Sequence, residues 1–418
     1  MLYTDHIDQQ RVCEKKGILE QVTAIANDLY HARNNVTANG LLSGNAGITL
    51  FFAYLAKIYP DSIYEDITGE YLDRLSNALA EERLSPDMSA GIAGIAFVFQ
   101  HLRNIDLLDS TEDLNLSAVD EAVSFAAGHY VKTGNWDPLH GLTGLGIYFV
   151  ERYRETGEKK YLEGIVDQLS ALSAVEKDNR VWITPAYQQV SKGNYNFGMA
   201  HGMPGLLSFL VRVYDLDIRT AVITEMIHSC LSFLLSNRSE EQEWYSFPAS
   251  IEFAPDHEAG SRIAHPSRNA WCYGDLGMAG TLIHCGRSLG REDWYRLGID
   301  IALQTTHIPF EYSSCADASF CHGSLGLVHQ YRRLYQATRH PTFREAAGQW
   351  MDITRVRYYH PGRYAGGYAY RYYDSTLKKT ELISSYGLLE GIAGIGLVLL
   401  SCLHDFDPDW DIIFQTKI

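Results

Sequence analysis

Apolar residues along this chain fall into two kinds of run that alternate from one end to the other. In the first kind, Ile48, Leu50, Phe51, Phe52, Leu55 and Ile58 leave almost no polar face, as in a helix buried on most sides. In the second, residues 63–79 carry Tyr64, Ile67, Tyr71, Leu75 and Leu79 at near-helical spacing with carboxylates between them, the pattern of a helix half in water. Further runs of the first kind cover 92–102, 145–153, 206–214, 278–289, 325–335 and 392–403, and runs of the second kind follow at 116–131, 161–175, 218–235, 294–304 and 343–356. Each pair therefore predicts one inner and one outer helix. The last inner run is followed only by Asp407-Pro408-Asp409-Trp410 and a short tail, while a helix over 18–32 precedes the first. That leading helix can close a circle, so the pattern predicts an all-α protein, an α/α toroid (barrel) of seven inner and about seven outer helices, with the two terminal segments sealing it.

A Gly-x-x-Gly stands at the head of every inner run, at Gly44, Gly91, Gly141, Gly202, Gly274, Gly323 and Gly391. A period near fifty residues marks one supersecondary unit per repeat, closed into a ring or stacked. Packing of crowded helix starts explains glycine at those places. The whole of 1–418 reads as a single toroid domain. Two long intervals, 176–197 and 237–268, break the rhythm with β-branched and aromatic residues and prolines, as in Val181-Trp182-Ile183-Thr184-Pro185, and predict a small β-rich elaboration inserted in the ring. The tyrosine-rich stretch 358–373 reads as a third irregular segment.

Composition narrows the partners. A hydrophobic content of 46% is ample for a large core, and a net charge of −16 argues against nucleic acid and anionic lipid, which need a basic footprint. The longest apolar stretch, 391–403, falls short of the roughly 20 residues that a membrane span requires, so an integral membrane protein is not expected. The first residues lack the basic and apolar regions of a signal peptide, and seven scattered cysteines do not suit a disulfide framework. A reducing cytoplasm is expected.

The chemistry gathers at one register, just ahead of the glycines. Cys272 and Tyr273 precede Gly274, Cys321 and His322 precede Gly323, His201 precedes Gly202, and His140 precedes Gly141 with Asp137 ahead of it. Equivalent positions of successive repeats share a rim, where inner-helix N-termini favour thiolates. Two thiolates and an imidazole satisfy three corners of a tetrahedral Zn²⁺ and leave the fourth open, the pattern of a catalytic site, and soft sulfur favours zinc over magnesium or calcium. Cys272, Cys321 and His322 are thus expected to hold one Zn²⁺. His201 is read as an acid/base group, because a fourth protein ligand would close the metal. Asp137 either orients a catalytic group or caps a helix. Arg268 offers a cation to a developing enolate or forms a surface ion pair, and Trp271 and Tyr273 either wall the site or pack. His140, Glu390, His284 and His329 are read as structural. Cys13, Cys230, Cys285, Cys315 and Cys402 lie outside the register and are read as inert.

Taken together, Ala200-His201-Gly202, Arg268-Asn269-Ala270-Trp271-Cys272-Tyr273-Gly274 and Cys321-His322-Gly323 resemble the lanthionine synthetase C family, the lanthipeptide cyclases, and in particular its stand-alone members. Trp136-Asp137-Pro138-Leu139-His140 carries the resemblance only through the aspartate and the glycine region after it. The resemblance implies an α/α toroid with a β-containing insert, zinc on Cys272, Cys321 and His322, and His201 and Asp137 in proton transfer. It implies a zinc-dependent cyclase that adds peptide cysteine thiolates to dehydroalanine or dehydrobutyrine and so forms lanthionine and methyllanthionine thioether rings. The implied partners are a dehydrated lanthipeptide precursor with its leader, a separate dehydratase (no dehydratase-like extension precedes the toroid) and an exporter, with peripheral contact to the membrane through that complex left open. Two other readings stay open: a zinc- and thiol-binding member of the family, such as a glutathione binder, and, more remotely, a toroid glycosidase working with carboxylates such as Asp137 and Glu390, which would need no zinc. A zinc prenyltransferase lacks its basic diphosphate pocket here.

Overall fold

Helices alternate between two layers from the first residues onward. The computed structural model describes residues 2–108, 115–185, 193–239, 244–253, 262–404 and 407–418, with side chains from residue 15. A long helix α1 (Leu2–Ala32) is followed by the pairs α2 (Asn45–Ile58) and α3 (Ile63–Glu81), α4 (Ile92–Asn104) and α5 (Leu116–Thr133), α6 (Leu142–Thr156) and α7 (Lys159–Leu172), α8 (Met203–Asp215) and α9 (Thr220–Ser236), α10 (Asp275–Ser288) and α11 (Glu292–Thr305), α12 (Ser324–Thr338) and α13 (Pro341–Arg357), and lastly α14 (Ile392–Leu403). The even-numbered helices are inner: every residue of α2 from Asn45 to Ala56 is buried. The odd-numbered ones bury a stripe, as α7 does with Leu162, Ile165, Val166 and Leu169. Each inner helix packs on the outer helix after it, and α14 packs on both α1 and α2. The ring therefore closes as the alternating pattern predicts, an α/α toroid of seven inner and seven outer helices among the described residues.

The seven glycines explain how the ring starts are held. Gly44, Gly91, Gly141, Gly202, Gly274, Gly323 and Gly391 are the N-cap residues of the inner helices. Two residues ahead of each, backbone groups bond from loop to neighbouring loop. Ala200 N donates to Cys272 O (3.3 Å), Cys272 N to Cys321 O (3.2 Å), Cys321 N to Leu389 O (3.1 Å), Leu389 N to Leu42 O (2.9 Å) and Leu42 N to Ser89 O (2.9 Å). A side chain's place in this register thus fixes its place on one rim. Ser89 N and Leu139 N leave the series and donate instead to the carboxylates of Asp87 (2.9 Å) and Asp137 (2.7 Å).

The outer layer departs from regularity beside α7 and α9. There α7 stops at Leu172, earlier than its apolar run suggests, because Ala174 and Val175 pair with Val181 and Arg180: β1 (Ala174–Glu176) and β2 (Asn179–Val181) form an antiparallel hairpin. A four-stranded antiparallel sheet follows, in the order β3 (Ile183–Thr184), β4 (Asn194–Asn196), β5 (Ser250–Phe253) and β6 (Arg262–His265). Residues 186–192, 240–243 and 254–261 of the two irregular intervals lie outside the described residues. The tyrosine-rich segment holds a further hairpin, β7 (Tyr370–Asp374) with β8 (Lys379–Ile383), where the sequence suggests only irregular chain. Its turn is built by Asp374 Oδ1, which accepts from Thr376 N and Leu377 N (2.8 and 3.0 Å).

The segment after α14 turns inward. A 3₁₀ helix, Asp409–Phe414, buries Trp410, Asp411, Ile412, Ile413 and Phe414. Asp411 accepts from His329 Nε2 (2.7 Å) and from Arg333 (2.6 and 2.7 Å), which holds a buried carboxylate far below the usual range despite the cost of burial. The residues after it line one small cavity together with Gly277 and Gly280 of α10 and Gln330, Arg333 and Leu334 of α12. The tail thus fills the seam between those two inner helices.

Candidate active site

The loops into α10 and α12 lie side by side because Cys272 N–H donates to Cys321 O (3.2 Å). Each loop turns tightly. Gly274 has φ +141°, and a Cβ there would run into the Arg268 carbonyl; one at Gly326 would run into the Phe320 carbonyl. Buried Asp317 folds the second loop, accepting from Ser319 N at Oδ1 (2.9 Å). Its Oδ2 accepts from Arg371 N of β7 (3.2 Å) and lies 3.9 Å from His322 Nε2.

With the loops so placed, the two sulfurs and one ring nitrogen of Cys272, Cys321 and His322 all lie within 4.8 Å of one another. A tetrahedral zinc with bonds of about 2.3 Å to sulfur and about 2.1 Å to nitrogen needs edges of roughly 3.5–3.8 Å, within reach of side-chain rotation. The donor set, two soft sulfurs and an imidazole with a carboxylate behind it, therefore fits a zinc ion with one position left over. The Cys321 thiol donates to Cys272 and holds that sulfur well below the usual thiol range despite burial, helped by His322 and Arg268. The same hydrogen bond, with burial, pushes Cys321 up. Burial pulls the His322 imidazole down, but the Cys272 sulfur and Asp317 outweigh it and leave the group above its ordinary value. Cys230, Cys285, Cys315 and Cys402 are free thiols, all pushed up by burial; the Cys13 side chain lies outside the described residues.

On the α6 and α8 side of the same rim, His201 Nδ1 donates to Asp137 Oδ2 (2.8 Å). Burial disfavours the imidazolium, yet the Asp137 hydrogen bond and charge win and raise the group above its ordinary value. Asp137 is itself held low despite burial, by His201 and by the backbone N–H groups of His140 and Leu139. Tyr273 accepts from Asn196 Nδ2 (3.2 Å), and the Arg268 guanidinium sits 6.0 Å from the Tyr273 ring centre. Asp137, His140, His201 and Tyr273 line a cleft of about 790 Å³ whose other wall is Thr184, Asn194, Ser250 and Glu252 of the sheet.

Trp271 lies elsewhere. Its indole N–H donates to Phe414 O (2.8 Å), and the ring packs on Phe320 and Phe414, behind the two cysteine-bearing loops and away from the cleft. His284 pairs with Asp215 (3.0 Å) and His329 with Asp411 (2.7 Å), in keeping with structural roles. Two carboxylates of the site escape a reading of the sequence. Asp87 stands four residues before Gly91, where Asp137 stands before Gly141, so the repeat register was the available signal. Asp317 had none, since its role depends on Arg371 arriving from a distant hairpin.

This arrangement has counterparts. The family described as "Lanthionine synthetase C-like protein" matches residues 35–415. The nisin biosynthesis protein NisC of Lactococcus lactis subsp. lactis is 24% identical over 330 residues, 73% of this chain and 76% of that protein. A solved structure of nisin cyclase superposes with a TM-score of 0.72 at 19% identity, covering 96% of this chain and 98% of that one, a likeness of fold. Among the described residues no helix is long and apolar enough to cross a membrane. The match spans nearly the whole ring, from the end of α1 to the tail that fills it, and the chain belongs to the lanthionine synthetase C-like family.

Proposed function

We propose that this protein is a zinc-dependent lanthipeptide cyclase, which forms lanthionine and methyllanthionine rings by adding peptide cysteine sulfurs to dehydroalanine or dehydrobutyrine. One observation carries the reading: the three metal-type donors of Cys272, Cys321 and His322 lie within 4.8 Å of one another on the rim that also bears the His201–Asp137 pair. Zn²⁺ on those donors would supply a Lewis-acidic position for the substrate sulfur and lower its thiol pKa. The protein's own groups account for the rest of the addition. As the new C–S bond forms at the β-carbon, the alkene π pair moves into an enolate. Arg268, exposed at the rim beside Tyr273, is suited to balance that charge. His201, whose protonated form Asp137 favours, gives its Nε2 proton to the α-carbon. Asp137 accepts from Nδ1–H and so leaves Nε2 as the nitrogen available to substrate, proton-bearing in the imidazolium form that the carboxylate favours. Trp271 acts from behind, as a support for the Cys272 loop.

The cleft between rim and sheet, about 790 Å³ and lined by polar and aromatic side chains, offers room for a peptide segment beside the donors. Its substrate must arrive already dehydrated, so a separate dehydratase acts first, and in a cytoplasmic setting an exporter follows. The test is incubation with a dehydrated precursor that retains its cysteines. Loss of free thiol at unchanged mass supports cyclisation. Zinc-dependent retention of a thiol without any loss of dehydro residues would favour the thiol-binding reading instead.

A further inference from the structure

A second imidazole shares the cleft with His201. The His140 and His201 rings stack with centres 5.5 Å apart and planes 13° from parallel. Both rings are tied to a carboxylate through Nδ1, but by different means. His201 Nδ1 meets Asp137 directly, whereas His140 Nδ1 lies 2.8 Å from Ser89 Oγ, whose hydroxyl donates to Asp87 Oδ1 (2.7 Å). Hydrogen-bond accounting settles the direction. Ser89 has given its one proton to Asp87, so its oxygen can only accept, and His140 must donate from Nδ1. In the neutral ring the remaining nitrogen, Nε2, carries the lone pair, and His140 is exposed along the cleft. Asp87 is anchored for this task. It accepts from Ser89 N (2.9 Å), Ala90 N (2.8 Å) and the Ser85 hydroxyl, and these donors keep it ionised despite burial.

Adding a thiol across an alkene moves one proton off sulfur and puts one on carbon. A single imidazole held in its protonated form can do the second job and not the first. We infer that His140, fixed by the Ser89–Asp87 relay, is the proton acceptor of the same reaction, and that the stacked pair divides the work, His140 as base and His201 as acid. The inference rests on the cyclase reading and deepens it. The thiol proton passes to His140 Nε2; the sulfur lone pair makes the C–S bond; the π pair becomes the enolate; and His201 Nε2–H protonates the α-carbon. Proton return from His140 to His201 through solvent resets both rings, so one thiol and one alkene give one thioether with nothing released. The stacking favours this division, since two imidazolium rings face to face would repel. The charged and titratable groups around His140 are Asp87, the Asp137 carboxylate that binds its backbone N–H (2.8 Å), His201, and across the cleft Tyr273 and Glu252. On this inference His140 takes part in the chemistry, where its sequence context suggests a structural residue.

The test is the pH–rate profile of ring formation on a dehydrated precursor, with bound metal measured in the same samples, for wild type, His140→Gln and Ser89→Ala. We expect His140→Gln to lower the rate by on the order of 10²-fold and to abolish the acidic limb that reports the base. The alkaline limb set by His201 and the metal content should stay as in wild type. Ser89→Ala, which frees the ring without removing it, should lower the rate less and displace the acidic limb. A His140→Gln protein with wild-type rate and both limbs intact would overturn the inference while leaving the cyclase reading standing. Loss of metal together with activity would also overturn it, because His140 would then be scaffold. A wild type that forms no rings on any such precursor would sink the cyclase reading itself.

Discussion

Trp271 is bound through its indole N–H to the backbone carbonyl of Phe414 at 2.8 Å, so the residue before one cysteine leans on the segment that fills the ring. The residue before the other cysteine does the same: the Phe320 ring stacks on Phe414 with centres 4.1 Å apart. The Phe414 ring also meets the Trp271 ring edge-on with centres 5.0 Å apart, so one side chain backs both sulfur-bearing loops. Truncating it should loosen both at once. Phe414→Ala is expected to cost about 3–5 kcal/mol of stability, as large core truncations do, and to weaken zinc binding in protein that is still folded. Denaturant unfolding and a competitive metal titration check the two effects, and Phe414→Leu should recover most of each.

The His201–Asp137 bond sets a pH window. His201 is raised above its ordinary value, so its donor proton is present at low pH and lost as pH climbs through the folded-state pKa. Ring formation should fall along that alkaline limb. In Asp137→Asn the carboxylate's charge is gone, and burial, which depresses an imidazole, loses its main opponent. The limb should move to lower pH by on the order of one unit or more, a shift that rates measured across pH 5 to about 9 would reveal. The pair's contribution to stability has the matching sign. It is present below the unfolded histidine value, fades as pH rises through the raised one, and is also lost in acid as Asp137, held low, takes up a proton.

Asp317 stands behind His322 at 3.9 Å and also holds the β7 backbone through Arg371 N. Removing its charge while keeping its shape, Asp317→Asn, should weaken zinc binding by roughly 10- to 100-fold, the usual effect of losing a carboxylate behind a ligating histidine. Metal titration against a chelator of known affinity gives the number, and circular dichroism shows whether the helices are unchanged.

Gly274 carries φ +141° between Tyr273 and the first residue of α10, and a Cβ there would collide with the Arg268 carbonyl. Gly274→Ala should cost more than the about 1–3 kcal/mol that such backbone strain alone imposes. It should also displace Cys272, read as reduced metal content. Gly348→Ala, on the outer helix α13 with open space around it, is the control expected to be neutral or mildly stabilising.

The ring was legible in the sequence because its inner helices share one constraint. Each begins where backbones crowd, so each begins with glycine, and the one or two residues before that glycine lie on the rim. That is why Cys272, His322 and His201 could be read together from positions far apart in the chain. The tail was not legible. Trp410, Ile412, Ile413 and Phe414 mark Asp409–Phe414 as apolar, but nothing local says which seam it fills; its place depends on His329 and Arg333 bonding to Asp411. The β7–β8 hairpin was missed for a related reason. Tyr370, Tyr372 and Tyr373 do not alternate with polar residues, since most of this two-stranded element faces water on both sides. The Ser89–Asp87 relay was hidden because Asp-x-Ser before a helix reads as an ordinary turn until His140 is seen to meet it.

The most direct test of the account is zinc stoichiometry, measured on protein purified without chelator, for wild type beside Cys272→Ala, Cys321→Ala and His322→Ala. One zinc per chain in wild type, and loss of it with ring formation in each variant, is the predicted result. Zinc retained at full occupancy in Cys272→Ala and Cys321→Ala, or ring formation undiminished by removal of the metal, would contradict it.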